Sequence, residues 1–401
     1  MKSSKVKTFA YELAADFRWT QFFVIICLMC FSLLSIYSAT YKGDSGFPSE
    51  VVKQIRWFGI GFVIYFLFAL VDYRWVCRKA WLLYLGVFVL LVWVLMYGKK
   101  INGAQRWISV HGFTFQPAEF AKITLLLTLC YYLSRSRDML NDWRHLLVAG
   151  LLTLAPAWLI NKEPDLGTAL VVVALSLMLL FLAGASPRFW AGLGLFGLLT
   201  AATVGYDTYR YIDFRKARAE APSHSAPPFR SLLHLKPYQL NRIVGVVAPD
   251  QLDPLAERWN AKQSLTAIGI GKFYGKGWMK GDVTRGGYLP STGSPNDFIF
   301  SVFAETSGFV GGTLLIGLYG VILLGGVHIA MKARDTLGML LAGGATFLLF
   351  FHVLVNMGMT LGILPIVGVP LPLMSYGGSF VVVCMTCLGL LQGVWLHRKP
   401  Y

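Results

Sequence analysis

Charge is scarce in this chain, and acidic charge scarcest. Asp, Glu, Lys and Arg make up 14% of 401 residues, with 20 acidic against 36 basic. With 56% of residues apolar and a mean hydropathy of +0.58, a water-soluble fold is excluded. Cysteine is also sparse. None of the six lies between 208 and 296, so no disulfide staples that stretch. Cys27/Cys30 and Cys384/Cys387 have CxxC spacing inside apolar runs, without neighbouring histidine or carboxylate. They read as small apolar fillers on a helix face, not as a redox or zinc site. A nucleotide loop is missing too. Gly275-Lys276 has Ile270 where its first glycine belongs and Gly277 where a hydroxyl residue should follow.

What is present is a series of apolar runs on the scale of about 30 Å of hydrocarbon. Ten are legible: 20–39, 55–71, 80–97, 117–133, 146–161, 166–184, 190–206, 298–328, 338–357 and 375–396. Only helices or closed barrels satisfy the backbone in lipid, and barrels lack such runs. The expectation is an all-α polytopic membrane protein, a single domain over 1–401. It has about ten transmembrane helices and a large extracytoplasmic loop, 208–296, between the seventh and eighth. Basic residues fall in alternate connections: Lys2, Lys5, Lys7 and Arg18; Arg74, Arg78 and Lys79; Arg135, Arg137 and Arg144; Arg188; Lys332 and Arg334; Arg398 and Lys399. The positive-inside rule places these, and both termini, in the cytoplasm. No cleavable signal peptide is evident, and the first span is expected to remain as an anchor.

The loop 208–296 carries 13 Lys and Arg against 6 Asp and Glu. On the outer face of a membrane this suits phosphate-bearing lipid rather than nucleic acid. Its Gly269–Gly277 cluster, with Lys272 and Lys276, offers either a turn or glycine backbone able to approach a diphosphate. Asp297 stands at the mouth of the eighth span, facing this basic loop. A carboxylate there is expensive and points to chemistry on an anionic substrate. Glu119 and Lys122 open the fourth span at i,i+3, either as an ion pair that fixes packing or as the lining of a polar cavity. Asp165 follows Pro164 in a tight outside turn, where capping of the next helix is the simple reading. Arg106 is a phosphate-contact candidate in another outside loop. The segment Asn356–Ser379, with Pro365, Pro370 and Pro372, is too broken for helix and too apolar for a solvated loop. A re-entrant or lipid-surface path is expected. His352 reads as a packing hydrogen-bonder.

Several motifs in order resemble the SEDS family of bacteria (shape, elongation, division and sporulation). They are Gln105-Arg106-Trp107-Ile108, Gln116-Pro117-Ala118-Glu119 with Lys122, and Glu163-Pro164-Asp165-Leu166-Gly167. Gly275-Lys276-Gly277, Asp297-Phe298-Ile299-Phe300 with Glu305, and the Asn356–Ser379 segment follow. Within the family, Leu364 to Pro372 is similar to the RodA-like branch. The resemblance implies a peptidoglycan glycosyltransferase that polymerises lipid II on the outer face of the bacterial cytoplasmic membrane during elongation. It implies Asp297 as the catalytic residue, acting as general base or holding a divalent cation (Mg2+ or Mn2+) against the donor diphosphate. Arg106, Glu119, Lys122, Asp165, Lys276 and Ser375 form the implied substrate-binding set. A class B penicillin-binding protein transpeptidase and other elongation-complex membrane proteins are the implied partners. A lipid II flippase is the rival reading of the same charges, and a non-catalytic scaffold a third.

Overall fold

The computed structural model describes residues 16–41, 46–101, 104–110, 113–140, 142–220, 229–233, 235, 237–248, 259–289 and 295–398. The chain begins with α1 (Trp19–Thr40), α2 (Ser49–Leu70) and α3 (Tyr73–Tyr97). A small antiparallel sheet follows, β1 (Lys99–Ile101), β2 (Ala104–Val110) and β3 (Phe113–Phe115), in which Lys99 faces Trp107 and Ile108 faces Phe115. Then come α4 (Pro117–Arg135), α5 (Trp143–Lys162), α6 (Leu166–Ala183) and α7 (Pro187–Glu220). Short helices α8 (Pro237–Val247), α9 (Trp259–Ile270) and α10 (Asp282–Arg285) lead to α11 (Ile299–Met331), α12 (Thr336–Thr360) and α13 (Gly378–Leu396).

Nine of the described helices are long and apolar enough to cross a membrane, and α4 is not among them. The tenth expected span, α4, is a 19-residue helix of the same bundle that differs from the other nine in composition. Glu119 and Lys122 make α4 too polar for lipid, and 13 of its 19 residues are buried. It packs against α3, α5, α6, α12 and α13, so neighbouring helices, not lipid, solvate its charges. Two expectations are corrected. Helix α7 does not stop near 206 but continues to Glu220, so Arg215, Lys216 and Arg218 are helical rather than the opening of a loop. Helix α12 reaches Thr360, taking the first residues of the Asn356–Ser379 segment. The breaker stretch 221–228 lies outside the described residues.

Two devices hold the bundle. Helices α2 and α13 approach through glycine. A Cβ on Gly389 would lie 2.6 Å from the Tyr65 carbonyl, and one on Gly393 would lie 2.6 Å from that of Phe68. The spacing of four puts both on one helix face, the small-residue arrangement that lets membrane helices touch backbone to backbone. At the other device, α11 is broken at Gly308 (φ 65°, ψ −162°). The freed groups find partners in the segment after α9. Lys276 N donates to Glu305 O (2.9 Å), Gly277 N to Thr306 O (3.0 Å), Phe309 N to Lys272 O (2.9 Å) and Val310 N to Phe273 O (3.1 Å). Broken helix inside a membrane protein survives only where protein supplies such partners. Gly271 and Gly275 press against the Ala304 and Thr306 carbonyls. These glycines thus serve contact with α11, a correction to their reading as a close approach to a diphosphate. The Glu305 carboxylate accepts from Val283 N (2.7 Å), Thr284 N (3.0 Å) and the Thr284 hydroxyl, and so caps α10.

Replacing Gly389 by valine forces α2 and α13 apart. The expected loss is about 1–3 kcal/mol, the usual range for overpacking, read as a lower thermal midpoint in detergent. A valine at Gly197 of α7, where an added Cβ meets nothing within 4 Å, is the matched control and leaves the midpoint near that of the wild type.

Candidate functional site

Asp297 sits in the turn just ahead of α11, and the backbone there is held at three successive carbonyls. Tyr376 N donates to Pro295 O (2.8 Å), Ser375 Oγ to Asn296 O (2.6 Å), and Asn356 Nδ2 to Asp297 O (2.9 Å). Ser375 also accepts from Leu371 N (2.8 Å), and the Asn356 amide donates a second time to Val369 O (2.7 Å). The proline-rich segment is thereby folded into the protein rather than laid on lipid, with Val369 and Leu371 buried. It passes beside the carboxylate: a Cβ on Gly368, whose φ is +73°, would lie 3.5 Å from Asp297 Oδ2. Glycine is required at that φ, and its missing side chain leaves room over Asp297.

A second corner forms at the start of α6. Asp165 is its N-cap, accepting from Thr168 N (3.0 Å) with one oxygen and from Gln116 Nε2 (2.8 Å) with the other. Arg106, carried in on β2, places Nη1 3.5 Å from Asp165 Oδ2. It also donates from Nε to Glu163 O (3.0 Å) and from Nη2 to Pro164 O (2.8 Å). This fork fixes the guanidinium in one plane. The two corners meet through the proline segment, because Gly167 packs against Val367 O.

Asp297 is half-buried and within electrostatic reach of Asp165, Arg106 and Arg242. Burial first, then the Asp165 charge, pushes its carboxyl up to about 6, with Arg106 and Arg242 opposing. Glu163 is 1% exposed, and neither carboxyl oxygen has a hydrogen-bond partner among the described residues. Burial, with Asp165 adding and Arg106 opposing, lifts it to about 8. A neutral acid is the form that such a site tolerates.

The remaining sequence candidates divide. Glu119 and Lys122 form a 2.8 Å ion pair on α4. Lys122, wholly buried, also reaches His352 Nε2 (3.1 Å) and lies 5.2 Å from the centre of the Phe380 ring. His352 Nδ1 meets Pro370 O at 3.1 Å, and Asn356 follows one turn later on α12. This cluster therefore buttresses the segment beside Asp297. Ser375 is buried, with its hydroxyl spent on the two backbone bonds to Asn296 and Leu371. Lys276 is apart: its ammonium is 3.1 Å from Asp282, and among the described residues it has no contact with the Asp297 corner. Asn356, Glu163 and Arg242 have roles at the site that their sequence context did not assign. An amide in an apolar run was a usable signal for Asn356, since polar groups at that depth are expensive. Nothing local marked Arg242.

Among the described residues no group of three or more His, Cys, Asp or Glu is arranged to hold a metal ion. Asp165 is already engaged by an amide, a backbone N–H and a guanidinium. That leaves Asp297 as the one carboxylate beside the opening among the described residues that is not already engaged or fully buried. It fits Mg2+ or Mn2+ of the kind bound by one or two carboxylates and completed by substrate phosphates.

Comparison with known proteins finds relatives along nearly the whole chain. The pattern of the FtsW/RodA/SpoVE family, described as a cell cycle protein, matches residues 16–400. The chain is 33% identical to the peptidoglycan glycosyltransferase RodA of Treponema pallidum over 95% of its length and 98% of the relative's. It is 35% identical to the peptidoglycan glycosyltransferase MrdB of Escherichia coli, over 95% and 94%. It also superposes with a TM-score of 0.74 and 29% identity on a chain of a peptidoglycan synthase complex that coordinates polymerisation and crosslinking, covering 95% and 98% of the two chains. The chain belongs to the FtsW/RodA/SpoVE family, the SEDS membrane proteins.

Proposed function

We propose that this multi-pass membrane protein is a peptidoglycan glycosyltransferase that joins lipid II units into glycan strands during cell elongation. The observation that carries the reading is Asp297. Its backbone is held at three carbonyls, its side chain is left open beside glycine, and its carboxyl is poised near neutrality. Such a group removes a proton from an acceptor sugar hydroxyl in the way a general base should. The hydroxyl oxygen forms its bond to the donor's anomeric carbon, and the bond from that carbon to the lipid diphosphate breaks. The proton passes to Asp297, and the diphosphate leaves with the electron pair. Arg106, held rigid by two carbonyls and Asp165, is the cation best placed to meet that anion. Lys122 and Glu119 support the site from within, and Ser375 does so through the Asn296 carbonyl. Asp165 orients Arg106. Lys276 contacts substrate only if the substrate reaches as far as α10.

In the alternative role, Asp297 would instead hold a divalent cation, Mg2+ or Mn2+, together with substrate oxygens, and the ion would neutralise charge on the donor diphosphate. A class B transpeptidase is the proposed partner, in line with the synthase complex on which this chain superposes. The bacterial cytoplasmic membrane is the proposed location, with both termini and the basic Lys332–Arg334 connection inside and Asp297 outside. Transport of lipid II is the weaker reading. It draws on Glu119 and Lys122 as cavity charges, whereas both are buried and satisfied by each other and His352.

Polymerisation of labelled lipid II by purified protein with its transpeptidase and divalent cation tests this. Asp297→Ala should lower the rate by about 10²–10⁴, the range for a lost general base. Full activity at equal protein level would end the assignment. The working form is the carboxylate, so the rate should fall as pH drops through about 6. Glu163→Gln copies the neutral acid. It should keep activity at pH 7 within a few-fold and remove any decline of the wild type above pH about 8.

A further inference from the structure

At the end of the bundle away from Asp297, helices α6, α11 and α12 part to leave a groove of about 800 Å³. Its walls are Met178 and Leu182 of α6, Val327 and Ala330 of α11, and Phe347 and Phe350 of α12. The volume lies within the range of about 300–1,000 Å³ typical of ligand sites. Among the described residues no other helix covers it. Helix α7, next in sequence after α6, has none of its membrane-length stretch buried inside the protein. Phe350, Val327 and Met331 remain substantially exposed.

The rim is cationic. Arg334 lines the mouth, and Lys332 stands two residues before it. Both are exposed, and neither side chain has an ion-pair or hydrogen-bond partner among the described residues. The carboxylate at the rim, Asp335, is taken up on the far side. It bonds the Arg74 guanidinium (2.7 Å), the Tyr73 hydroxyl (2.9 Å) and Gly338 N (2.7 Å). Against the upward push of burial, these partners hold its carboxyl below the usual carboxylate range. The groove thus offers an apolar slot at acyl-chain depth with uncommitted positive charge at headgroup level.

We propose that this groove binds one anionic glycerophospholipid of the cytoplasmic leaflet. Its acyl chain would lie between α6, α11 and α12, and its headgroup phosphate would meet Arg334 and Lys332. Basic pockets between helices on the cytoplasmic side are the known chemistry for such headgroups. The sidedness rests on the orientation proposed for the function; the binding itself does not. A lipid seated there braces α11 against α12, the two helices whose opposite ends hold Asp297 and Asn356.

Native mass spectrometry of the delipidated full-length protein tests this, with equal phosphatidylglycerol and phosphatidylcholine of identical chains. The wild type should retain phosphatidylglycerol in preference. Arg334→Gln, an exposed change that leaves packing intact, should reduce that preference about five-fold, the effect of one cation near a phosphate. Val327→Trp, which fills the slot from an exposed position, should reduce retention of both lipids. Equal retention by the wild type, or a preference unchanged in both variants, would mean annular lipid only and overturn the site. Displacement of phosphatidylglycerol by undecaprenyl phosphate in the same assay would overturn the choice of ligand. Lipid retention is read without polymerase activity, so its failure is separable from failure of the proposed function.

Discussion

The amide of Asn356 holds the site together. One nitrogen donates to the carbonyl of Asp297 and to that of Val369, tying the turn before α11 to the proline segment. In a low-dielectric interior a lost bond of this kind leaves buried carbonyls without partners, at about 1–3 kcal/mol each. Ser375 and Tyr376 repeat the arrangement at the two preceding carbonyls. The result is a carboxylate whose main chain cannot move while its side chain keeps an open face. Preorganisation of this kind suits the proposed role as proton acceptor, because the group is already placed and little has to reorganise around it.

The same constraint, that no polar group may be left alone in the bundle, explains features far from Asp297. The break at Gly308 persists because the 272–277 backbone supplies the missing hydrogen bonds. Glu305 is tolerated at full burial because α10 presents N–H groups and a hydroxyl to it. Lys122 is tolerated because Glu119, His352 and the Phe380 ring surround it. Glu163 departs from this, as does the side-chain oxygen of Asn356: both Glu163 carboxyl oxygens lack partners among the described residues, and its carboxyl is raised towards the neutral form. One end of the molecule uses buried polarity to position the Asp297 turn. At the other, the guanidinium groups of Arg18 and Arg398 both lie against the Trp395 ring, and Arg398 is paired with Asp16, so the residues just before α1 are joined to the end of α13.

Much of this architecture is legible in the amino-acid order. Hydrophobic runs report helices directly, because a bilayer allows little else. The run that is too polar to face lipid, α4, carries its own warning in Glu119 and Lys122. Asp297 stands out by expense alone. The glycines of the 269–277 stretch are harder. Glycine signals that backbone comes close to something, but whether that is a phosphate or another helix depends on what lies opposite. Here it is the broken turn of α11.

Sequence by itself determined the helical, membrane-embedded class, the order of the spans, the pairing of Glu119 with Lys122 and the prominence of Asp297. Each follows from local composition or from spacing along one helix. Tertiary structure decided which distant residues meet. Arg106 forks onto the 163–165 turn, Asn356 reaches back to Asp297, Arg242 enters its field, and Ser375 is spent on backbone instead of facing outward. Those pairings join residues tens to hundreds of positions apart, and no local periodicity encodes them. They exist because the helices pack in one particular arrangement, in which every buried donor and acceptor but a few finds a partner.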